Sequence, residues 1–151
     1  MYLQQNIFKK SFVRAGRSLN ILPIANTFTL AAIFSRAQIG KMNLDNVKMN
    51  VIKTAPNGVV NDLTIFTFSQ TDNVVSATYC GGEILKGYLV GTVDKDKLFF
   101  CYCQLQTNGK IDNGQSECDI VIDESQKIKL IERFEWRSRE GKNGVNIFQE
   151  L

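Results

Sequence analysis

The sequence predicts an all-β domain over residues 45–151, an antiparallel up-and-down barrel of about eight strands, behind a separate extension over 1–44 that is helical or disordered. Three observations predict it. Short runs rich in Val, Ile, Phe, Thr and Tyr alternate with turn signals through 45–151. No window there carries a helical period. The connections are short, so successive strands pair antiparallel, and a meander of this length keeps two raw edges unless it closes on itself.

The extension differs in composition from the rest. It holds six basic residues (Lys9, Lys10, Arg14, Arg17, Arg36, Lys41) and no acidic ones, leaving 12 basic and 15 acidic residues for 45–151. Phe8, Phe12, Ala15 and Leu19 fall at near-helical spacing, with Lys10, Arg14 and Arg17 opposite. The apolar run Ile21–Phe34 is broken by Pro23 and Asn26. Three readings stay open: a secretory signal with small residues at Ser35-Arg36-Ala37, an organelle presequence, or a loosely held extension with the domain proper starting near Met42. A basic amphipathic helix could also lie on an anionic membrane. The expected location is cytoplasmic, with export or targeting through residues 1–37 as the alternative.

The expected strands are Val47–Thr54, Leu63–Gln70, Asn73–Cys80, Ile84–Val93, Leu98–Thr107, Ser116–Asp123, Lys127–Arg137 and Val145–Leu151. Between them lie Pro56-Asn57-Gly58, Thr71-Asp72, Gly81-Gly82, Asp94-Lys95-Asp96, Asn108-Gly109, Asn113-Gly114 and the stretch from Gly141 to Gly144. These supply the positive-φ and Asx positions of tight turns. Gly81-Gly82 joins two strand-like runs with no helix after it, so it reads as a turn and not as a phosphate cradle. Gly87 and Gly91 share a strand face with Leu85, Leu89 and Val93, where glycine lets a sheet bend or another segment come close. The clearest period of two is KIKLIERFEW: Ile128, Leu130, Glu132, Phe134 and Trp136 on one face, Lys127, Lys129, Arg133 and Glu135 on the other, interrupted by Ile131.

Composition narrows the chemistry. The chain has no histidine, which removes His-based acid–base pairs, His-activated nucleophiles and His metal ligands. No apolar run approaches the ~20 residues of a membrane-spanning helix. The net charge of 45–151 offers no broad cationic face for nucleic acid. Cys80, Cys101, Cys103 and Cys118 lack the paired Cys-x-x-Cys spacing of zinc knuckles, so they read as packed free thiols, without metal or cofactor. A hairpin turning around Asn108 to Gly114 would bring Cys103 near Cys118, and a disulfide would follow if the chain is exported.

Glu132 is the most informative residue. Its alternation puts a carboxylate on the apolar face beside Phe134 and Trp136, where it needs a partner or water. It either orients a ligand inside the barrel or forms an internal ion pair, for instance with Lys86. Tyr88, Tyr102, Gln104 and Trp136 are the expected companions. Tyr102 and Gln104 share a face with Phe100 and Gln106 that is polar for a dry core, and aromatic walls with a few polar groups make small-molecule pockets. The competing reading has these aromatics filling the barrel with their polar ends at its rim.

Tyr79-x-Gly81-Gly82-x-Ile84-x-x-Gly87-x-Leu89-x-Gly91-x-Val93-Asp94, then Tyr102, Thr107-Asn108-Gly109, and Glu132-x-x-x-Trp136 before Ser138 resemble a family of small uncharacterised bacterial proteins often labelled N-acetylglutamate synthase. The similarity runs from about Asn57 to Leu151. That label implies acetyl transfer from acetyl-CoA. The acetyl-CoA loop of such enzymes precedes a helix; Gln106-Thr107-Asn108-Gly109-Lys110-Ile111 carries its first glycine and Ile111 in place of the second. The tyrosine–glycine run and the Trp136-x-Ser138 end have a looser resemblance to avidin- and lipocalin-like barrels of the calycin group, though the lipocalin Gly-x-Trp is missing. The expected function is non-catalytic binding of a small, partly apolar molecule in the barrel. The alternatives are acyl or acetyl transfer, and a structural barrel that self-associates into a homo-oligomer.

Overall fold

The structure is a computed structural model that describes residues 42–151. The helix, targeting and membrane-contact readings of residues 1–41 lie outside the described residues. Residues 42–44, grouped above with the extension, pack with the barrel: Leu44 is fully buried and its N–H donates to Gln70 Oε1 at 2.8 Å.

Eight strands run in sequence order: β1 (Lys48–Lys53), β2 (Ile65–Thr71), β3 (Val74–Gly81), β4 (Ile84–Asp94), β5 (Lys97–Gln106), β6 (Ile111–Ile122), β7 (Ile128–Trp136) and β8 (Asn143–Glu150). Each pairs antiparallel with the next, and β1 pairs with β8 through Val51↔Phe148, so the sheet closes. The expected up-and-down barrel is the fold. No helix occurs among the described residues. Closure leaves no free edge, which is why eight short strands of modest hydrophobicity hold together without a covering layer. The turns fall largely where the sequence puts them. Asp72 and Lys95 take positive φ in the β2–β3 and β4–β5 hairpins, and Gly82 and Gly109 do so in β3–β4 and β5–β6.

Three local expectations are corrected. β6 starts at Ile111, not Ser116, because Asn113-Gly114 lies within a strand and is not a turn. Gly114 points inward between Tyr102 and Trp136, its direct neighbours on β5 and β7. A Cβ there would sit 2.5 Å from the Glu135 carbonyl and also strike the Tyr102 hydroxyl, so only glycine fits. The hairpin therefore turns at Thr107–Gly109, and Cys103 pairs with Asn113 while Cys118 pairs with Leu98. Cys103 is exposed on the outer face and Cys118 buried on the inner one, so the expected proximity of these thiols does not occur. Leu85 does not share the Gly87 face: an irregularity between Ile84 and Lys86 resets the alternation and turns Leu85 outward.

The interior is graded along the barrel axis. At the end made by the β2–β3, β4–β5 and β6–β7 connections it is apolar, filled by Leu44, Met49, Val75, Val93, Leu98, Ile120 and Leu130. Toward the other end, here termed the mouth, buried polar side chains appear: Gln104, Gln106, Asp112, Ser116, Glu132 and Asn146. The β1–β2 loop, residues 54–64, lies across the mouth, and its Gly58, Val59 and Val60 line the cavity below.

Candidate functional site

The strand period decides which side chains meet. On β7, Leu130, Glu132, Phe134 and Trp136 all face inward, as the alternation in KIKLIERFEW requires. On β5, Phe100, Tyr102, Gln104 and Gln106 face inward as well. Four of the five expected site residues, Tyr102, Gln104, Glu132 and Trp136, therefore line one cavity. Tyr88 does not join them. It stands on the outer face, 57% exposed, with the Lys86 ammonium 5.2 Å from its ring. Its inward-facing neighbours on β4 are Gly87 and Leu89, so the period that brings those in sends Tyr88 out.

Glu132 is 4% exposed and has no cationic partner among the described residues. The expected Lys86 pair is replaced by neutral donors. Ser116 Oγ donates to Oε1 at 2.6 Å and Asn146 Nδ2 donates to Oε2 at 2.7 Å. Burial pushes the carboxyl above its ordinary range, and these two hydrogen bonds pull the other way without cancelling it. Each carboxylate oxygen keeps further lone-pair capacity facing the cavity.

Aromatic rings build the walls. Trp136 meets Tyr102 and Phe134 edge-on, each at 5.6 Å between centroids, and Phe66 stacks on Tyr79 at 4.3 Å. Gly87, directly opposite Tyr79, leaves room for that ring to lie across β4. The Tyr79 hydroxyl donates to Gln104 Oε1 at 3.1 Å. Burial raises the pKa of both Tyr79 and Tyr102, so both are neutral phenols. Two buried donors, Gln104 Nε2 and Trp136 Nε1, have no hydrogen-bond partner among the described residues. A buried donor left unpaired costs about 1–3 kcal/mol.

A second polar group supports the rim. Asp112 is fully buried and accepts from Arg139 Nε at 3.1 Å, from a second Arg139 nitrogen at 2.5 Å, from Ser138 Oγ at 2.9 Å, and from Gln106 Nε2. Burial alone would raise its carboxyl, but the bonds from Arg139 and Ser138 and the charges of Arg139 and Lys110 outweigh it and hold it low. The Arg139 guanidinium in turn lies 4.3 Å over the Trp136 ring. Among the described residues, no three or more Cys, Asp or Glu side chains gather as metal ligands would.

Sequence reasoning missed Ser116, Asn146, Asp112 and Arg139. The first and third were hidden by reading Asn113-Gly114 as a turn, which cut β6 in two; an unbroken alternation from Asp112 to Cys118 would have shown both facing inward. Asn146 had a usable signal, since it shares a face with Phe148 on β8. Arg139 sits in the β7–β8 connection, where no period operates.

The cavity amounts to about 30 Å³, room for about one or two waters. The comparison with known families agrees with the closed barrel. A model of the avidin-like protein family matches residues 42–151. The chain matches no curated protein and no solved structure. The match spans the whole barrel, and the chain belongs to the avidin-like protein family.

Proposed function

We propose that the barrel binds a small, partly apolar molecule at its mouth, without transforming it. An avidin-like barrel points to small-molecule binding as a class. One observation carries the reading to this site: Gln104 and Trp136, whose buried donors Nε2 and Nε1 have no partner among the described residues, line the same cavity as Glu132. Two donors ask for an acceptor such as a carbonyl oxygen. The carboxylate asks for an N–H or O–H. A ligand with both on a compact head, an amide, lactam or cyclic urea, meets these needs together, and its apolar remainder would lie against Phe66, Phe134 and Phe148. The chain has one tryptophan, so Trp136 emission reports the site directly. Native mass spectrometry of the purified protein, followed by Trp136 fluorescence titration with small amides, lactams and cyclic ureas including biotin, tests the proposal. Saturable change that Glu132→Met weakens by about tenfold or more supports it. No retained molecule and no saturable response across the panel would overturn it.

A second reading, compatible with the first, is self-association through the outer face of β3–β5. Ser76, Thr78, Val90, Phe99, Cys101 and Cys103 point outward there, between Lys86 beside Tyr88 at one end and Lys97 at the other. The adjoining strands by contrast carry Glu117, Asp119 and Arg133, joined with Lys97 in one ion-pair network. An uncharged strip bordered by both signs suits a two-fold contact, in which each copy's cations face the other's anions. Sedimentation at about 50 μM would show a dimer that Val90→Glu splits; a wild-type monomer sinks this reading. Acetyl transfer stands as the catalytic alternative. Its loop candidate, Gln106–Ile111, is a hairpin joining β5 to β6. Calorimetric binding of acetyl-CoA, with turnover of glutamate, would favour it.

A further inference from the structure

We propose that the β1–β2 loop is a self-occluding lid on the barrel mouth, and that Asn146 latches it to Glu132. For the ligand's part this rests on the binding reading above; the latch itself is a property of the protein alone.

A cavity of about 30 Å³ admits a water or two and little else, whereas pockets for small organic ligands run to about 300 Å³ or more. With the loop as it lies, Val60 is buried and Gly58, Val59 and Val60 occupy the room that a ligand above Glu132 and Trp136 would need. Residues 54–64 take no part in the strand ladder, so the loop depends on its own bonds and a few ties. It braces itself: Gly58 N–H donates to the Ala55 carbonyl at 2.8 Å, Thr54 Oγ1 to the Val60 carbonyl at 2.9 Å, and Thr64 N–H to the Asn61 carbonyl at 2.9 Å. Ala55 and Val60 pack in the core, but its hydrogen bonds to the barrel wall are few and each uses a side chain: Asn57 Nδ2 to the Asn143 carbonyl, Thr64 Oγ1 to the Gly81 carbonyl, Asn50 Nδ2 to the Asp62 carbonyl, and Ala55 N–H to Asn146 Oδ1 at 2.9 Å.

Only the last of these reaches the site. Asn146 offers one donor end and one acceptor end. Glu132 takes the donor end, which turns Oδ1 toward Ala55 N–H. With the carboxylate removed only the Ala55 N–H itself favours that orientation, and the Asn146 NH₂ loses its acceptor. A ligand seated above Glu132 needs the room that Val59 and Val60 fill, and so needs the loop displaced. The closed loop then acts as a competitor built into the chain, and apparent affinity scales with the fraction of molecules whose lid is open.

The test is amide hydrogen exchange on the unliganded full chain. The reporters are Gly58 and Thr64, whose own hydrogen bonds lie inside the loop. The references are Val93 and Ile120, bonded to the Asn73 and Asp96 carbonyls at the far end of the barrel. Asn146→Ala and Glu132→Met should each speed Gly58 exchange by about tenfold relative to the references. Glu132→Gln should stay within about twofold, because its carbonyl oxygen can accept from Asn146 while its NH₂ donates to Ser116 Oγ. Equal rates for Glu132→Met and wild type overturn the latch even if Asn146→Ala speeds exchange, since the loop would then be held without reference to Glu132. A speeding as large in Glu132→Gln as in Glu132→Met overturns it too. Should Glu132→Met fail to fold, acrylamide quenching of Trp136 in Asn146→Ala decides: unchanged quenching means no lid. A latch that passes while every ligand titration fails leaves the loop coupling in place and removes only the binding proposal.

Discussion

Tyr79 and Gly87 face each other across β3 and β4, and the missing side chain of one is filled by the ring of the other. A Cβ at position 87 would stand inside van der Waals distance of three carbons of the Tyr79 ring. The ring has nowhere to retreat. Phe66 stacks on its far side, and its hydroxyl is tied to Gln104. Overpacking of this kind costs about 1–3 kcal/mol, and replacing glycine by alanine in a strand returns about 0.5–1 kcal/mol of backbone entropy. Gly87→Ala should therefore destabilise by ~1–2 kcal/mol. At about 2.1 cal/mol/K per residue over a barrel of this size, that lowers Tm by roughly 4–9 °C. Tyr79→Leu removes the obstacle at its own cost of about 3 kcal/mol or more, from lost packing and the unpaired Gln104 oxygen. In that background Gly87→Ala should be nearly free, giving a coupling of ~1–2 kcal/mol. Urea unfolding followed by Trp136 emission, on wild type, both single variants and the double, measures all four corners. Additive losses, or a Gly87→Ala protein as stable as wild type, would refute the claim that the glycine exists to seat the ring.

The remaining expectations concern charge and thiols. Glu132→Gln should match wild-type stability near pH 4 and exceed it progressively above. Below the ordinary glutamate value of 4.5 the carboxyl is protonated in both states; as pH rises past 4.5 the unfolded chain ionises first, and wild type loses stability up to its raised folded pKa. Urea midpoints at pH 4, 6 and 8 check this, and a constant difference would contradict it. Asp112 behaves oppositely. Its lowered pKa adds stability present above the ordinary 3.8 and lost as pH falls through the folded value. Arg139→Ala should cost ~2–3 kcal/mol at neutral pH, below the usual loss for a broken buried pair because Ser138, Gln106 and Lys110 remain, and the loss should shrink in acid. Finally, Cys80, Cys101 and Cys103 are exposed and Cys118 is buried with its thiol pushed up by burial. An aromatic disulfide reagent should titrate three thiols in the native protein and four in urea; four fast thiols in buffer would place Cys118 wrongly.

The barrel was legible because its information is local and repeated. Each strand carries its own period of two, and each hairpin its own turn residue, such as Asp72 or Gly109. The inward set on β7 followed from one segment read alone. What failed to show were decisions made between strands. Gly114 looks like a turn glycine from β6 by itself and is a strand residue only because Tyr102 and Trp136 flank it. Tyr88 looks like a pocket aromatic until the irregularity at Ile84/Lys86 fixes which face of β4 is inside. The Glu132 partners come from β6 and β8, Ser116 and Asn146, a pairing that no single stretch of sequence contains. The lid over the mouth is a loop, and its place was not written in any periodicity.

The gradient along the barrel axis bears on why the mouth is polar at all. The apolar half, with Met49, Val75, Leu98, Ile120 and Leu130 buried, supplies a core that folding can use. The mouth half works against stability. It holds a carboxylate with its pKa raised by burial and two donors with nothing to bond. Leu, Phe or Met at these positions would make a drier and more stable barrel of the same topology. A chain selected for folding alone has no use for Glu132 beside Trp136. The places where a sequence breaks its own folding rules are where function is expected, and here the breaks converge on one cavity under one loop. Glu132→Met combined with Gln104→Leu puts this to the test: the double variant, which also leaves the Ser116, Asn146 and Tyr79 donors without their acceptors, should keep the barrel fold and lose whatever the wild-type mouth retains in native mass spectrometry. A folded double variant that retains the same molecule would mean the site lies elsewhere.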